Sequence, residues 1–167
     1  MILVTVGSAE QPYTRLLAAM DVSADRLGEP VVMQCGQKPY HGRHTQCLGY
    51  LTFGQFHRLA RDSRLIIGHA SMGPVLVARR YGKPFIVVPR DPAFQETFND
   101  HQFQTARALE GTSRMIEVVF DIAGLEAAIR RAQAKADQGE TYEPHLRREP
   151  LIAAIRAAAE GREVPGP

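Results

Sequence analysis

The sequence predicts an α/β fold built on a doubly wound parallel sheet. Three observations carry this. Short continuous apolar runs, such as Leu65-Ile66-Ile67 and Phe85-Ile86-Val87-Val88, are the pattern of strands covered on both faces. Other segments repeat their apolar residues at helical spacing. The two kinds of segment alternate along most of the chain, as βαβ units require.

The elements follow in order. Ile2 to Val6 is a β-branched apolar run stopped by Gly7-Ser8, and Leu16, Leu17 and Met20 place a helix after it. Val31 to Cys35 is a second strand ended by Gly36, and Gln46 to Leu51 a weaker third. Phe53, Phe56, Leu59 and Ala60 share one helix face. Leu65 to Ile67 is the next strand. Val75 to Tyr81 reads as a helix stopped by Gly82 and Pro84. After the strand Phe85 to Val88, Asn99 to Leu109 forms a helix that ends at Gly111. Met115 to Val119 is a last strand, and Leu125, Ile129, Ala132 and Ala136 mark an amphipathic helix. Lys38 to Thr45 reads as a loop and Gly139 to Pro144 as a linker to a final helix, Leu146 to Glu160. The chain therefore divides into a domain over residues 1–145 and a C-terminal helix and tail over 146–167.

Composition excludes several classes. The 167 residues suffice for one domain with a proper core. A net charge of +2 makes no electrostatic case for nucleic acid. No run approaches the ~18 apolar residues of a membrane span, and the start MILVTVGS lacks the basic region and cleavage site of a signal peptide. The expected location is cytoplasmic. Cys35 and Cys47 form no CxxC and read as small core residues. His41 and His44 lie in a loop at a spacing that matches no standard metal site, so no metal is expected. Arg147, Arg148 and Arg156 are interrupted by Glu149 and Glu160, as on a solvated helix face.

Chemistry concentrates at the ends of two strands. In parallel sheets, ligands collect at the carboxyl edge. There the run Gly68-His69-Ala70-Ser71-Met72-Gly73-Pro74 leads straight into a helix. Free N–H groups around Ser71 to Gly73 would face outward at a positive helix end, a geometry that suits a pyrophosphate. Pro74 fits the first turn, where a missing N–H breaks no intrahelical bond. The loop from Pro89 to Gln102 is long and polar and belongs to the same edge. Its Asn99, Asp100, His101 and Gln102 can donate and accept the several hydrogen bonds a sugar ring demands. Asn99 or Asp100 could equally cap the following helix.

Four motifs, "MILVTVGS", "IIGHASMG", "GKPFIVVPR" and "QETFNDHQ", together resemble the C-terminal, donor-binding half of glycosyltransferase family 28 enzymes over about Met1 to Gly111. The length resembles that of small separate subunits in two-chain exopolysaccharide or dolichol-linked N-acetylglucosamine transferases. The resemblance implies a Rossmann-like sheet, the C-terminal half of a GT-B enzyme, that binds a UDP-sugar without metal or other cofactor. It implies a membrane-associated partner chain that supplies the acceptor half and the general base. Location at the inner membrane would then be peripheral, through that partner. By resemblance, Gly7 and Ser8 line the cleft, and Phe53 meets the uracil edge. His69, Ala70, Ser71, Met72 and Gly73 form the diphosphate turn. Arg90 and Glu96 shape the loop over the donor, and Asn99, Asp100, His101 and Gln102 meet the donor sugar. No catalytic residue is assigned on this chain.

The sequence departs from the family pattern at three places. Ser71 adds a side chain where a phosphate approaches closely. Pro74 removes a hydroxyl and an N–H. Val77, seven residues before Pro84, stands where the family usually has a Glu on the ribose hydroxyls. Losing such a bond typically costs about 1.5–3 kcal/mol, roughly 10- to 150-fold in affinity. These departures sustain a second reading, a non-catalytic family member that serves as a binding or regulatory module. Phe94 and Phe98 lie in the long loop with no helical register to bury them, so they either mark an interface for the partner or tuck under their own loop.

Overall fold

A computed structural model describes residues 1–38 and 40–142 of the chain. Six strands form one parallel sheet in the order β3-β2-β1-β4-β5-β6. They are β1 (Ile2–Thr5), β2 (Val31–Gln34), β3 (Gln46–Leu48), β4 (Leu65–Gly68), β5 (Phe85–Val87) and β6 (Ile116–Val118). The helices are α1 (Thr14–Leu27), α2 (Phe53–Asp62), α3 (Met72–Arg80), α4 (His101–Leu109) and α5 (Leu125–Asp137). This is the doubly wound sheet expected, with its order reversing between β1 and β4. At that switch point the crossover loops leave in opposite directions and open a crevice.

Strand alternation divides the core between two faces. Ile2 and Val4 turn to one face with Leu16, Leu17 and Met20 of α1 and Leu125, Ala128 and Ile129 of α5. Leu3 and Ile66 turn to the other, with Ala60 of α2, Val75 and Ala78 of α3, and Ala106 and Leu109 of α4. Every residue of β1, β2, β4 and β5 is buried, which is why these strands read as continuous apolar runs.

Several boundaries differ from expectation for local reasons. β3 ends at Leu48, three residues before Leu51, because it is a half-exposed edge strand and Gly49 follows. α3 begins at Met72 rather than Val75. Ser71 is extended at the N-cap, and Pro74 occupies the third helical position, whose N–H has no intrahelical acceptor in any case. α4 begins at His101 behind Asp100. α2 starts with a capping box in which Thr52 and Gln55 satisfy each other's backbone. Short 3₁₀ turns at Pro92–Phe94 and Ile122–Gly124 each follow an Asp whose carboxylate accepts a backbone N–H two residues on.

The loop over 40–45 is held from below. The Asp21 carboxylate, buried on α1, accepts the N–H groups of Arg43 and His44 and the hydroxyl of Thr45. Burial pushes that carboxyl up, but these donors outweigh it and hold it below its ordinary range. Cys35 is buried and Cys47 half-buried, both as free thiols. Tyr142 donates to the Lys83 carbonyl at 3.0 Å. The expected helix over 146–160, Arg147, Arg148 and Arg156, the end of the linker and the boundary at 145 lie outside the described residues.

Candidate functional site

A cleft of about 580 Å³ opens at the carboxyl edge of β1, β2 and β4, at the switch point. Its floor is the end of β1 with Gly7. Gln34 at the end of β2 grips that turn: its amide oxygen accepts the Gly7 N–H at 3.1 Å and the Thr5 hydroxyl at 2.8 Å, while its amide nitrogen donates to the Gly7 carbonyl at 3.0 Å. Gly7 has a φ of +74°. A Cβ there would stand 2.6 Å from Cε1 of His69. Glycine is thus required twice, for the left-handed backbone and for the imidazole beside it.

One wall is the start of α3. Ser71 at the N-cap makes no side-chain cap, so the first N–H groups of the helix keep no partner within it. A Cβ on Gly73 would meet nothing within 4 Å, so open space lies in front of that turn. The Ser71 N–H, expected to be free, is taken by the His69 carbonyl at 2.9 Å, so the helix dipole and the N–H groups of Met72 and Gly73 are what this end offers an anion.

His69 stands beneath it. Its ring lies against the Thr5 backbone, and its buried Nδ1 has no hydrogen-bond partner. Burial first, and the Arg90 charge second, push the imidazole down to about 4, so it is neutral at physiological pH. Among the described residues no carboxylate and no Lys or Arg lines the cleft. A bound anion would therefore meet dipoles rather than charges. Among the described residues no group of three metal-ligating side chains occurs.

The opposite wall is aromatic and apolar. Tyr50, Leu51, Phe53 and Phe56 line it together with Leu76 and Val77 of α3. Phe53 is 78% exposed and Tyr50 69%, so a flat ring can reach both.

The anticipated residues separate into three groups. Gly7, Ser8, Phe53, His69, Ser71 and Gly73 line the cleft together. Ala70, Gln102, Arg90 and Glu96 lie behind it as its frame. The Gln102 amide oxygen accepts the N–H groups of Ala70 and Arg90, at 3.2 and 3.0 Å, and ties the β4 turn to the β5 turn. Arg90 is buried and donates to the carbonyls of Val6, Gln11, Pro12 and Glu96. Its guanidinium lies 4.6 Å from the centroid of the Tyr13 ring. Glu96 is buried against Arg15 at 2.8 Å and accepts the Asp91 N–H. Met72, Asn99, Asp100 and His101 form the third group, exposed and not part of the cleft lining. The Asn99 amide oxygen accepts the His101 N–H, and the Asp100 carboxylate accepts Gln104.

The sequence reading did not single out Thr5, Gln34, Tyr50, Leu51, His57 or Leu76 as cleft residues. For Gln34 the signal was a polar residue closing a buried apolar run. For His57 it was the four-residue step from Phe53, which puts both on one helix face.

Residues 1–153 match the family model of the glycosyltransferase family 28 C-terminal domain. Among solved structures, the chain resembles the glycosyltransferase SnogD from Streptomyces nogalater with a TM-score of 0.50 and 20% identity. It resembles CalG4, the calicheamicin glycosyltransferase, with a TM-score of 0.59 and 18% identity. These alignments cover 82% and 81% of this chain but 39% and 35% of those proteins, so the chain spans well under half their length. ALG13, solved by NMR, aligns over 92% of this chain and 93% of its own, with a TM-score of 0.52 and 18% identity. Comparison with curated proteins gives no match.

Proposed function

The chain belongs to the glycosyltransferase family 28 C-terminal domains, and on that premise we propose that it is the UDP-sugar-binding subunit of a two-chain glycosyltransferase. One observation carries the placement: the uncapped start of α3 lines the cleft, with open space in front of Gly73. The diphosphate sits at Ser71–Gly73, and the uracil lies on the aromatic wall at Phe53. When the glycosidic bond to UDP breaks, negative charge grows on the departing phosphate. Fixed N–H dipoles aimed there stabilise it more than they stabilise the ground state.

Among the described residues no carboxylate lines the cleft; on this reading the base comes from a second chain. That partner is membrane-associated and binds the acceptor, in exopolysaccharide or envelope glycan assembly. The subunit itself is cytoplasmic and reaches the inner membrane through it; among the described residues no helix is long and apolar enough to cross a membrane. We assign the donor domain to residues 1–145. The apolar Val77 on the cleft wall favours a second reading, a family member that keeps the partner surface but performs no transfer.

Calorimetric titration with UDP tests the placement. Gly73→Val fills the open space before the helix end and should weaken UDP at least ~10-fold, the loss of about one charge-assisted hydrogen bond. Unchanged affinity in that variant would remove the diphosphate from this turn. A chain that captures its partner but binds no UDP would establish the second reading.

A further inference from the structure

Among the cleft residues, His57 is held in a way the diphosphate seat does not explain. Its Nδ1 lies 2.9 Å from the Tyr81 hydroxyl. Its ring packs at 4.0 Å on Phe53 and edge-on to Tyr81 at 5.7 Å. Three contacts thus fix the imidazole, while Nε2 remains without a protein partner among the described residues. Fixing one ring nitrogen in this way sets what the other can offer.

Its depth in the cleft follows from α3. Gly73 is at the anion end, and Val77 lies one turn further along, about 6 Å away at 1.5 Å per residue. Tyr81, whose N–H donates to the Val77 carbonyl, lies one turn beyond that. A side chain bonded to Tyr81 and lining the cleft therefore sits level with the second turn of α3. Around it Leu51, Phe53, Phe56, Leu76 and Val77 are apolar. A nucleotide whose phosphates occupy the first turn carries its pentose at this second level. The pentose hydroxyls must leave water there, and a buried hydroxyl without a partner is costly.

We infer that His57, oriented by Tyr81, hydrogen-bonds a ribose hydroxyl through Nε2 and makes the cleft selective for ribonucleoside over deoxyribonucleoside diphosphates. This rests on the nucleotide placement proposed above. A site built to pair a hydroxyl discriminates sharply against ligands that lack it, because its own polar atom is then stranded.

The test is titration of the full chain with UDP, 2′-deoxy-UDP and 3′-deoxy-UDP. The unmodified protein should prefer UDP over at least one deoxy analogue by about 10-fold or more. His57→Phe, which keeps the ring packing, should bind UDP and that analogue within about twofold. Tyr81→Phe frees the imidazole and should narrow the preference while leaving His57 in place. This second variant keeps the inference testable if His57→Phe unfolds. Equal affinity for UDP and both analogues in the unmodified protein would overturn the role of His57 and leave the nucleotide placement standing. A preference that survives in both variants would do the same. Absence of any UDP binding would overturn the placement and this inference with it.

Discussion

The two flanks of the β4–α3 turn use polar groups in opposite ways. On the β5–α4 side, polar side chains are buried and paired with protein. Arg90 satisfies four carbonyls, Glu96 is held by Arg15 and the Asp91 N–H, and Gln102 bridges two backbone turns. On the α2–α3 side, the first N–H groups of α3, at the cleft, have neither an intrahelical partner nor a side-chain cap, and the buried Nδ1 of His69 is unpartnered too. The first flank is a frame and the second, on the function proposed above, a receptor. A charged residue near a ligand cleft is therefore no guide by itself. What marks the receptor is hydrogen-bonding capacity left unused by the fold.

Arg90→Met would break this comparison most severely. It strands the carbonyls of Val6, Gln11 and Glu96 and removes the cation above Tyr13. Leaving buried carbonyls without a donor costs about 1–3 kcal/mol, which thermal unfolding followed by circular dichroism would read. A loss below ~1 kcal/mol would show that the β5–α4 flank is not the frame.

His69 sharpens the same comparison from the receptor side. Burial holds its folded value near 4, below the ordinary 6.5. The unfolded chain then binds the extra proton between these values, so this contribution to stability is full above about pH 6.5 and falls as pH drops toward 4. At about 1.4 kcal/mol per unit, the loss approaches roughly 3 kcal/mol. His69→Gln removes the titration, and its urea-unfolding free energy should vary less with pH over that window. Parallel profiles for the two proteins would show that His69 is not held neutral by burial.

The smallest effect on stability belongs to Phe94 and Phe98, which are 60% and 89% exposed. Phe94 lies 5.3 Å below the Arg15 guanidinium, a contact worth about 0.5–1 kcal/mol, and Phe98 has less to lose. Phe94→Ser and Phe98→Ser should each cost under ~1 kcal/mol in urea unfolding. On the two-chain reading, each should weaken capture of the partner chain in a pull-down. Full capture by the double variant would place the interface elsewhere.

Much of the fold was legible because its determinants are local. Leu65 to Ile67 and Phe85 to Val88 declare buried strands by continuous apolarity, and Gly82 with Pro84 ends a helix by backbone restriction. The carboxyl-edge position of the Gly68–Pro74 turn follows from strand preceding helix, so half of the cleft could be placed from pattern alone. The start of α3 was less legible, since an extended Ser71 lets the helix begin three residues before its first buried Val.

What the sequence determined by itself is the alternation of strand and helix, because periodicity and turn chemistry act within a few residues. Only the tertiary structure decided which polar side chains are frame and which are receptor. Arg90 meets Val6 across 84 residues, Tyr13 meets the Val88 carbonyl across 75, and Gln102 meets Ala70 across 32. His57 gains its anchor only when α2 and α3 pack side by side. A hydrogen-bonding group looks the same in the sequence whether it is satisfied or waiting. The difference is made by partners far along the chain, and those are chosen when the sheet brings its strand ends together.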